Sequence, residues 1–394
     1  MNLRSVFTSF PFDQTGAAAR EKARPIMDEL ISGLTAPLTE IEKSPGPKEV
    51  EKLPGLFFRG TLKEVNRFFY NRRWTDGLPV IPPTEEAVKE MLTSTSHSPD
   101  EVIGLIPPES WEATVEGVAI NGVMAGCKPE HMPVLLATME AFISEIMFYN
   151  YVRSAGSYGF LQIVNGPIAG QIGMNSGINA LGPGCTANAC IGRAFRLCII
   201  NLGGSVPGVN LMASQGNIAA RGVALAENEK ASPWEPYHVT RGFKAEESVL
   251  TMFGGEAGFQ NQSFHDITKV LKISKHRNAG VILMSPLSAR LLVEQQGFTI
   301  KRALQEWLWD NTKTSIKEWR DSVFYKNSLM PNLGKPGNHP AWYADPELPL
   351  DTMVHVFPGP DRLPVIVVGN ETDGSECQIW EMGNPCSVSI DKWR

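Results

Sequence analysis

The chain has 394 residues, 42% of them hydrophobic and 20% charged, with a formal net charge of −6. That length supports a full core in one large body or two packed ones, and the acidic balance argues against a nucleic-acid surface. No apolar run reaches the roughly 18 residues of a membrane-spanning helix, so no membrane partner is expected. Residues 1–16 show neither a hydrophobic segment nor a small-residue cleavage site, so no secretory signal is read there. Six cysteines in so long a chain do not make a disulfide framework, and a reduced, cytoplasmic protein is expected.

Residues 1–55 read as an N-terminal arm of the kind that wraps a neighbouring subunit. Ala17 to Leu34 has helical character, and Thr39 to Pro54 is a charged, proline-bearing connection. Residues 56–310 form the main body. Leu62 to Arg72 is an amphipathic helix. It runs into Trp74-Thr75-Asp76-Gly77-Leu78-Pro79, a turn in which Asp76 is the one group suited to acid–base work. Thr84 caps a helix to Leu92. Strands are expected at Val102–Ile106 and Ala113–Ala119, and a buried helix from Pro133 to Met147. Cys127 and His131 flank its start. They form an activated nucleophile, half of a metal site, or an inert thiol beside a surface histidine.

The stretch from Gly156 to Asn217 holds 13 of the 36 glycines, yet it is too apolar for a linker. A strand at Phe160–Val164 opens into a loop rich in glycine and asparagine, then a helix from Ala187 to Asn201. Thr186 or Asn188 is expected to cap it. Its first-turn N–H groups then face Gly182-Pro183-Gly184-Cys185, where they attract an anion or lower a thiol pKa. Asn175, Asn179, Asn188, Cys185 and Arg193 are the expected substrate-binding groups, with Asp76 as a possible wall; Arg193 and Arg196 share a face. The competing reading is a tight glycine corner with the arginines salt-bridged elsewhere.

Further on, Ala226-Glu227-Asn228-Glu229 ends a short strand, and Trp234-Glu235-Pro236-Tyr237-His238 follows in a proline-stiffened loop. Glu227, Glu235 and His238 are candidate acid–base groups, or else surface residues of an ordinary connection. Ser248 to Phe253 is strand-like and Phe264 to Ile273 helical. A strand at Ala279–Met284 is followed by a Ser285-Pro286 helix start, a stop at Gly297 and a helix capped by Thr299. Residues 311–394 form a surface excursion and closing strands packed on the same body. Pro364 to Val368 opens into a polar loop at 369–375, a second pocket wall. Gln378–Trp380 and Val388–Ile390 would close the sheet as a hairpin. No internal repeat is evident. The expected fold is α/β, a mixed sheet flanked by helices, with an extended arm.

Taken together, residues 74–84, 123–130, 180–184, 187–194 and 226–236 resemble one bacterial family. Its members are found beside, or fused to, proteins with a UGSC or CGSC motif, which are proposed thiol or selenol oxidoreductases. The resemblance covers roughly residues 60–310 and implies a redox or UGSC-type protein partner, since this chain lacks that motif itself. Cys127 matches the family pattern, whereas Cys185-Thr186 stand where the family carries Asn-Arg. Three functions are open. One is lyase- or hydratase-like acid–base chemistry on a small polar acid. The others are a thiol-dependent oxidoreductase using Cys127, and a substrate-binding subunit without turnover. A homo-oligomer is expected. No cofactor is assigned, and a metal held by Cys127, His131, His238 and carboxylates stays open.

Overall fold

A computed structural model describes residues 17–37, 58–213, 215–262, 280–321, 347–371 and 377–394. The chain divides into two units, Met1–Arg59 and Gly60–Arg394. The described part of the first is chiefly one helix, α1 (Ala17–Thr35), on which Met27, Ile31 and Leu34 are exposed at helical spacing. No helix among the described residues is long and apolar enough to cross a membrane.

The second unit opens with α2 (Leu62–Asn71), started by a reciprocal Thr61–Glu64 capping box, and α3 (Glu85–Leu92), capped by Thr84. A hairpin of β1 (Val102–Ile106) and β2 (Trp111–Thr114) follows. The strand expected through Ala119 stops at Thr114. The Thr114 hydroxyl accepts from Gly117 N–H at 3.0 Å and starts α4 (Val115–Ala125). Next comes α5 (Met132–Ser144), buried nearly all round. It ends short of Met147 because Glu145 turns extended and caps α6 (Ile146–Tyr151). The remaining elements are β3 (Gly159–Asn165), α7 (Pro167–Gln171), α8 (Thr186–Asn201), β4 (Val223–Ala226), α9 (Tyr237–Thr240) and β5 (Val249–Gln262). Then follow β6 (Val281–Met284), α10 (Pro286–Gln296), α11 (Lys301–Asn311), β7 (Lys313–Ser315), α12 (Ile316–Asp321), β8 (Met353–His355), β9 (Val365–Val367) and β10 (Cys377–Ser389). Ser285 caps α10 and Gly297 ends it in the left-handed conformation, as expected, but α11 starts after Ile300 with no side-chain cap, so Thr299 does not serve. The helix expected at Phe264–Ile273 lies outside the described residues.

The fold is α/β. Six strands form one mixed sheet in the order β4-β3-β5-β10-β6-β9. The pairs β3–β4 and β6–β9 are parallel, and the pairs β3–β5, β5–β10 and β10–β6 antiparallel. The segments expected as a closing hairpin, 378–380 and 388–390, fall in or beside one strand in the middle of this sheet: β10 runs unbroken through Ser389 between β5 and β6. The order also contains a repeat that the residues conceal. In each half the chain lays down a middle strand (β3, β6), then the parallel outer one (β4, β9), then the long inner one (β5, β10). In each half the middle strand leads to a helix that starts on proline, Pro167 or Pro286.

The two outer strands meet. Asn228 N–H donates to the Val367 carbonyl at 2.8 Å, and the Asn228 amide donates to the Gly369 carbonyl at 2.9 Å. Inward residues from all six strands therefore share one cluster, including Leu161, Leu225, Phe253, Leu283, Ile366 and Trp380. The opposite face packs in two sections. Phe160, Val164, Leu250 and Met252 lie with α4, α5 and α8, whereas Ile282, Met284, Val365 and Val367 lie with α10 and α11.

Glu227 stands where the outer strands meet. Its carboxylate accepts from Lys301 Nζ at 2.5 Å, Asn165 Nδ2 at 2.7 Å, Tyr237 N–H at 2.7 Å and Val367 N–H at 3.5 Å. Lys301 and Glu227 are both buried. Removing one member of such a pair strands the other charge in a low dielectric. Lys301→Met should lower unfolding stability by about 3–5 kcal/mol in urea titration, and Glu227→Gln added to it should recover part of the loss. Equal midpoints for wild type and Lys301→Met would refute this role.

Candidate functional site: the cleft at the start of α8

Between α7 and α8 the chain passes through residues 172–185, and Asn188 in the first turn of α8 pins this loop. Its Nδ2 donates to the carbonyls of Asn175 (2.8 Å) and Ala180 (3.1 Å), and its Oδ1 accepts from Asn175 N–H at 3.0 Å. The amide is thus turned into the loop rather than onto the helix end. The N-cap residue is Cys185, whose side chain makes no capping bond, so neither Thr186 nor Asn188 caps α8 as expected. The uncapped N-terminus keeps its partial positive charge.

In front of it lies a cleft of about 530 Å³, lined among others by Lys128, His131, Asn175, Asn179, Cys185 and Thr186. Three of the expected binding residues, Asn175, Asn179 and Cys185, share this wall. Asn179 holds φ at +57°, and its side chain donates to the Pro183 carbonyl at 2.8 Å. The same residue lines a second cleft of about 240 Å³ with Ser285, Gly369, Asn370 and Gln378, so the loop separates two spaces. Gly369 and Asn370 belong to the loop expected as a second pocket wall; residues 372–375 of that loop lie outside the described residues.

His131 is buried and lines the larger cleft. Its Nδ1 accepts from Lys128 N–H at 3.2 Å, which assigns the ring proton of the neutral form to Nε2. Burial lowers its pKa below the usual histidine range, opposed in part by the Glu130 carboxylate and reinforced by the Lys128 charge. Cys185 is half-buried, with Gly173 O at 3.3 Å and Asn188 Oδ1 at 3.2 Å as acceptors for its thiol.

The other expected residues stand elsewhere. Arg193 grips Asp76 through two parallel bonds, Nε to Oδ2 and Nη2 to Oδ1, both 3.0 Å, and Nη2 also reaches the Pro79 carbonyl at 2.7 Å. This fork clamps the 74–79 loop onto α8 and occupies both partners. Burial pushes the Cys127 thiol well above its usual pKa, with Cys190 and Cys198 adding to the effect, so it stays protonated near neutrality. His238 is buried, with Nε2 3.1 Å from the Lys244 carbonyl and Nδ1 4.0 Å from Glu229 Oε1. Glu235 is exposed. None of Glu227, Glu235 and His238 lines the cleft. Among the described residues, no three His, Cys, Asp or Glu side chains are grouped to hold a metal ion. Lys128, which lines the cleft, was not among the expected binding residues; its one signal in the sequence was its place before Pro129, just ahead of a buried helix.

No family model, curated protein or solved structure matches this chain.

The lowered pKa of His131 has a definite sign. The unfolded imidazole takes up a proton near pH 6.5, while the folded one resists until lower pH. Acid therefore favours the unfolded chain, and the contribution present above about pH 6.5 is lost as pH falls. His97, whose pKa is raised by its bond to the Lys392 carbonyl, works in the opposite sense and is common to both proteins compared. The thermal midpoint of wild type should fall more steeply between about pH 7 and about pH 5 than that of His131→Gln. Parallel profiles would show that His131 titrates as it does in water.

Proposed function

We propose that this chain binds a small carboxylate-bearing polar molecule in the cleft at the start of α8. The observation that carries this reading is the meeting, on one wall, of Lys128, the neutral His131 ring and the uncapped end of α8, with the Lys128 ammonium 3.9 Å from Glu130 Oε1 in a solvent-exposed pair. An anion there faces a positive charge and free backbone donors, each worth about 0.3–1 kcal/mol at such a site. Asn175 and Asn179 line the wall as orienting groups.

A role in binding, with delivery of the acid to an enzyme partner, is supported by the absence of Glu227, Glu235 and His238 from the cleft wall. Acid–base chemistry that makes or breaks a carbon–heteroatom bond is the second reading. Its support is that Cys185, a half-buried thiol, lines the same cleft as His131. Thiol chemistry with a separate UGSC-type partner rests on Cys185 as well, because burial keeps Cys127 protonated. Six unpaired cysteines support a reducing, cytoplasmic setting. The exposed apolar stripe on α1 supports self-association of the chain.

Calorimetry with malonate and malate, together with proton NMR of malate incubated with the protein, tests these readings. Binding of either acid should weaken about twofold to fivefold in Lys128→Ala, the loss of one partly screened charge contact. Unchanged malate signals alongside binding favour delivery. An alkene signal that Cys185→Ser abolishes favours elimination, in which a C3 proton and the C2 hydroxyl of malate leave as water and the C2–C3 double bond forms. Absence of heat with both acids, or equal affinity in Lys128→Ala, would remove the cleft from consideration.

A further inference from the structure

A second cavity, of about 540 Å³, opens farther along α8. Arg196 lines it, ten residues beyond Thr186 and thus roughly 15 Å along the helix axis from the cleft already described. Its wall also carries Arg73, Asp76, Tyr70, Ile200 and Val206.

The charges on this wall do not cancel. Asp76 is the carboxylate nearest in effect to Arg196, but both of its oxygens are committed to Arg193 at 3.0 Å. Arg193 itself is further tied to the Pro79 carbonyl, as a structural arginine should be. Arg196 differs: among the described residues it donates no hydrogen bond and closes no ion pair. It emerges between buried Phe195 and Leu197, so its guanidinium loses much of its hydration without gaining a partner. Burial accordingly lowers its pKa to about 10. Arg73, exposed at the same wall, adds a second positive charge. Tyr70, Ile200 and Val206 supply an apolar surface beside them.

A planar guanidinium with unengaged N–H groups matches a carboxylate in two-pronged geometry. We propose that this cavity is a second binding site, for an organic carboxylate on an apolar body, held by Arg196 and assisted by Arg73. The site is independent of the cleft at the start of α8, whose charged group is Lys128.

Benzoate, benzyl alcohol and inorganic phosphate are the probes, titrated into the full chain by calorimetry. Benzoate should bind and raise the thermal midpoint, and benzyl alcohol, which lacks the charge, should not. Arg196→Met should weaken benzoate about tenfold or more, the loss of a charge-assisted pair. Arg73→Gln should weaken it less, and Lys128→Ala should leave it unchanged. Without probe, Arg196→Met should melt at or above the wild-type midpoint, because the cation it removes has no partner to lose. The proposal is overturned by any of four results: no benzoate binding; equal benzoate affinity in wild type and Arg196→Met; binding of phosphate but not benzoate; or a sharp fall in the unliganded Arg196→Met midpoint, which would mark a structural arginine.

Discussion

The buried carboxylate of Glu227 is the constraint on which this architecture turns. A mixed sheet with two parallel outer pairs has edges that must be covered or joined. Here the edges come together at the ends of β4 and β9, and Glu227 collects donors from four directions at that point: a strand end, a helix start, the opposite outer strand and the α11 lysine. Asn165 ties the same carboxylate to Glu229, with 2.8 Å between Asn165 Nδ2 and Glu229 Oε1. Isolated, a buried carboxylate would cost more than the fold's margin of stability allows. With every oxygen engaged, it instead defines how the strands end and where the loops after them leave.

Those loops set up the rest. Held by the closed sheet, residues 172–185 are pinned a second time by Asn188, and the N-terminus of α8 is thereby left uncapped toward a cleft. Farther along the same helix, the Arg193–Asp76 fork consumes one arginine and one carboxylate for structure. The neighbouring Arg196 is left with an unbalanced charge. One helix thus carries two spaces of positive character, one made by backbone and Lys128, the other by guanidinium groups.

The repeated order of strands in the two halves gives the molecule an internal two-fold character, although the halves are clothed differently. The first half carries the buried α4, α5 and α8 layer; among the described residues, α10 and α11 pack on the second. Functional features follow that asymmetry. The pinned glycine loop has no counterpart after β6, where Ser285 caps α10 directly and closes that helix end. Of these two helix starts, that of α8 is uncapped and that of α10 is capped.

Local chemistry was legible in the residues. The caps at Thr84 and Ser285, the stop at Gly297, the buried strands read at Phe160–Val164, Ala279–Met284 and Pro364–Val368, which match to within a residue or two, and the all-apolar α5 follow from hydrogen bonding and periodicity over a few residues. So did the idea that the glycine-rich stretch before α8 fronts a helix end. Long-range pairing was not legible. That Arg193 meets Asp76, 117 residues away, or that Glu227 meets Lys301, 74 residues on, depends on the closure of the sheet. Charge alone did not distinguish a carboxylate that works on a ligand from one that seals a fold, because both are a Glu after an apolar strand. Likewise β10 read as two short strands, since a bulged strand interrupted by Gly383 and Pro385 lacks clean alternation until its neighbours β5 and β6 supply the register. The sequence determined the elements and the chemical inventory; the tertiary structure decided which charges were already spent on one another.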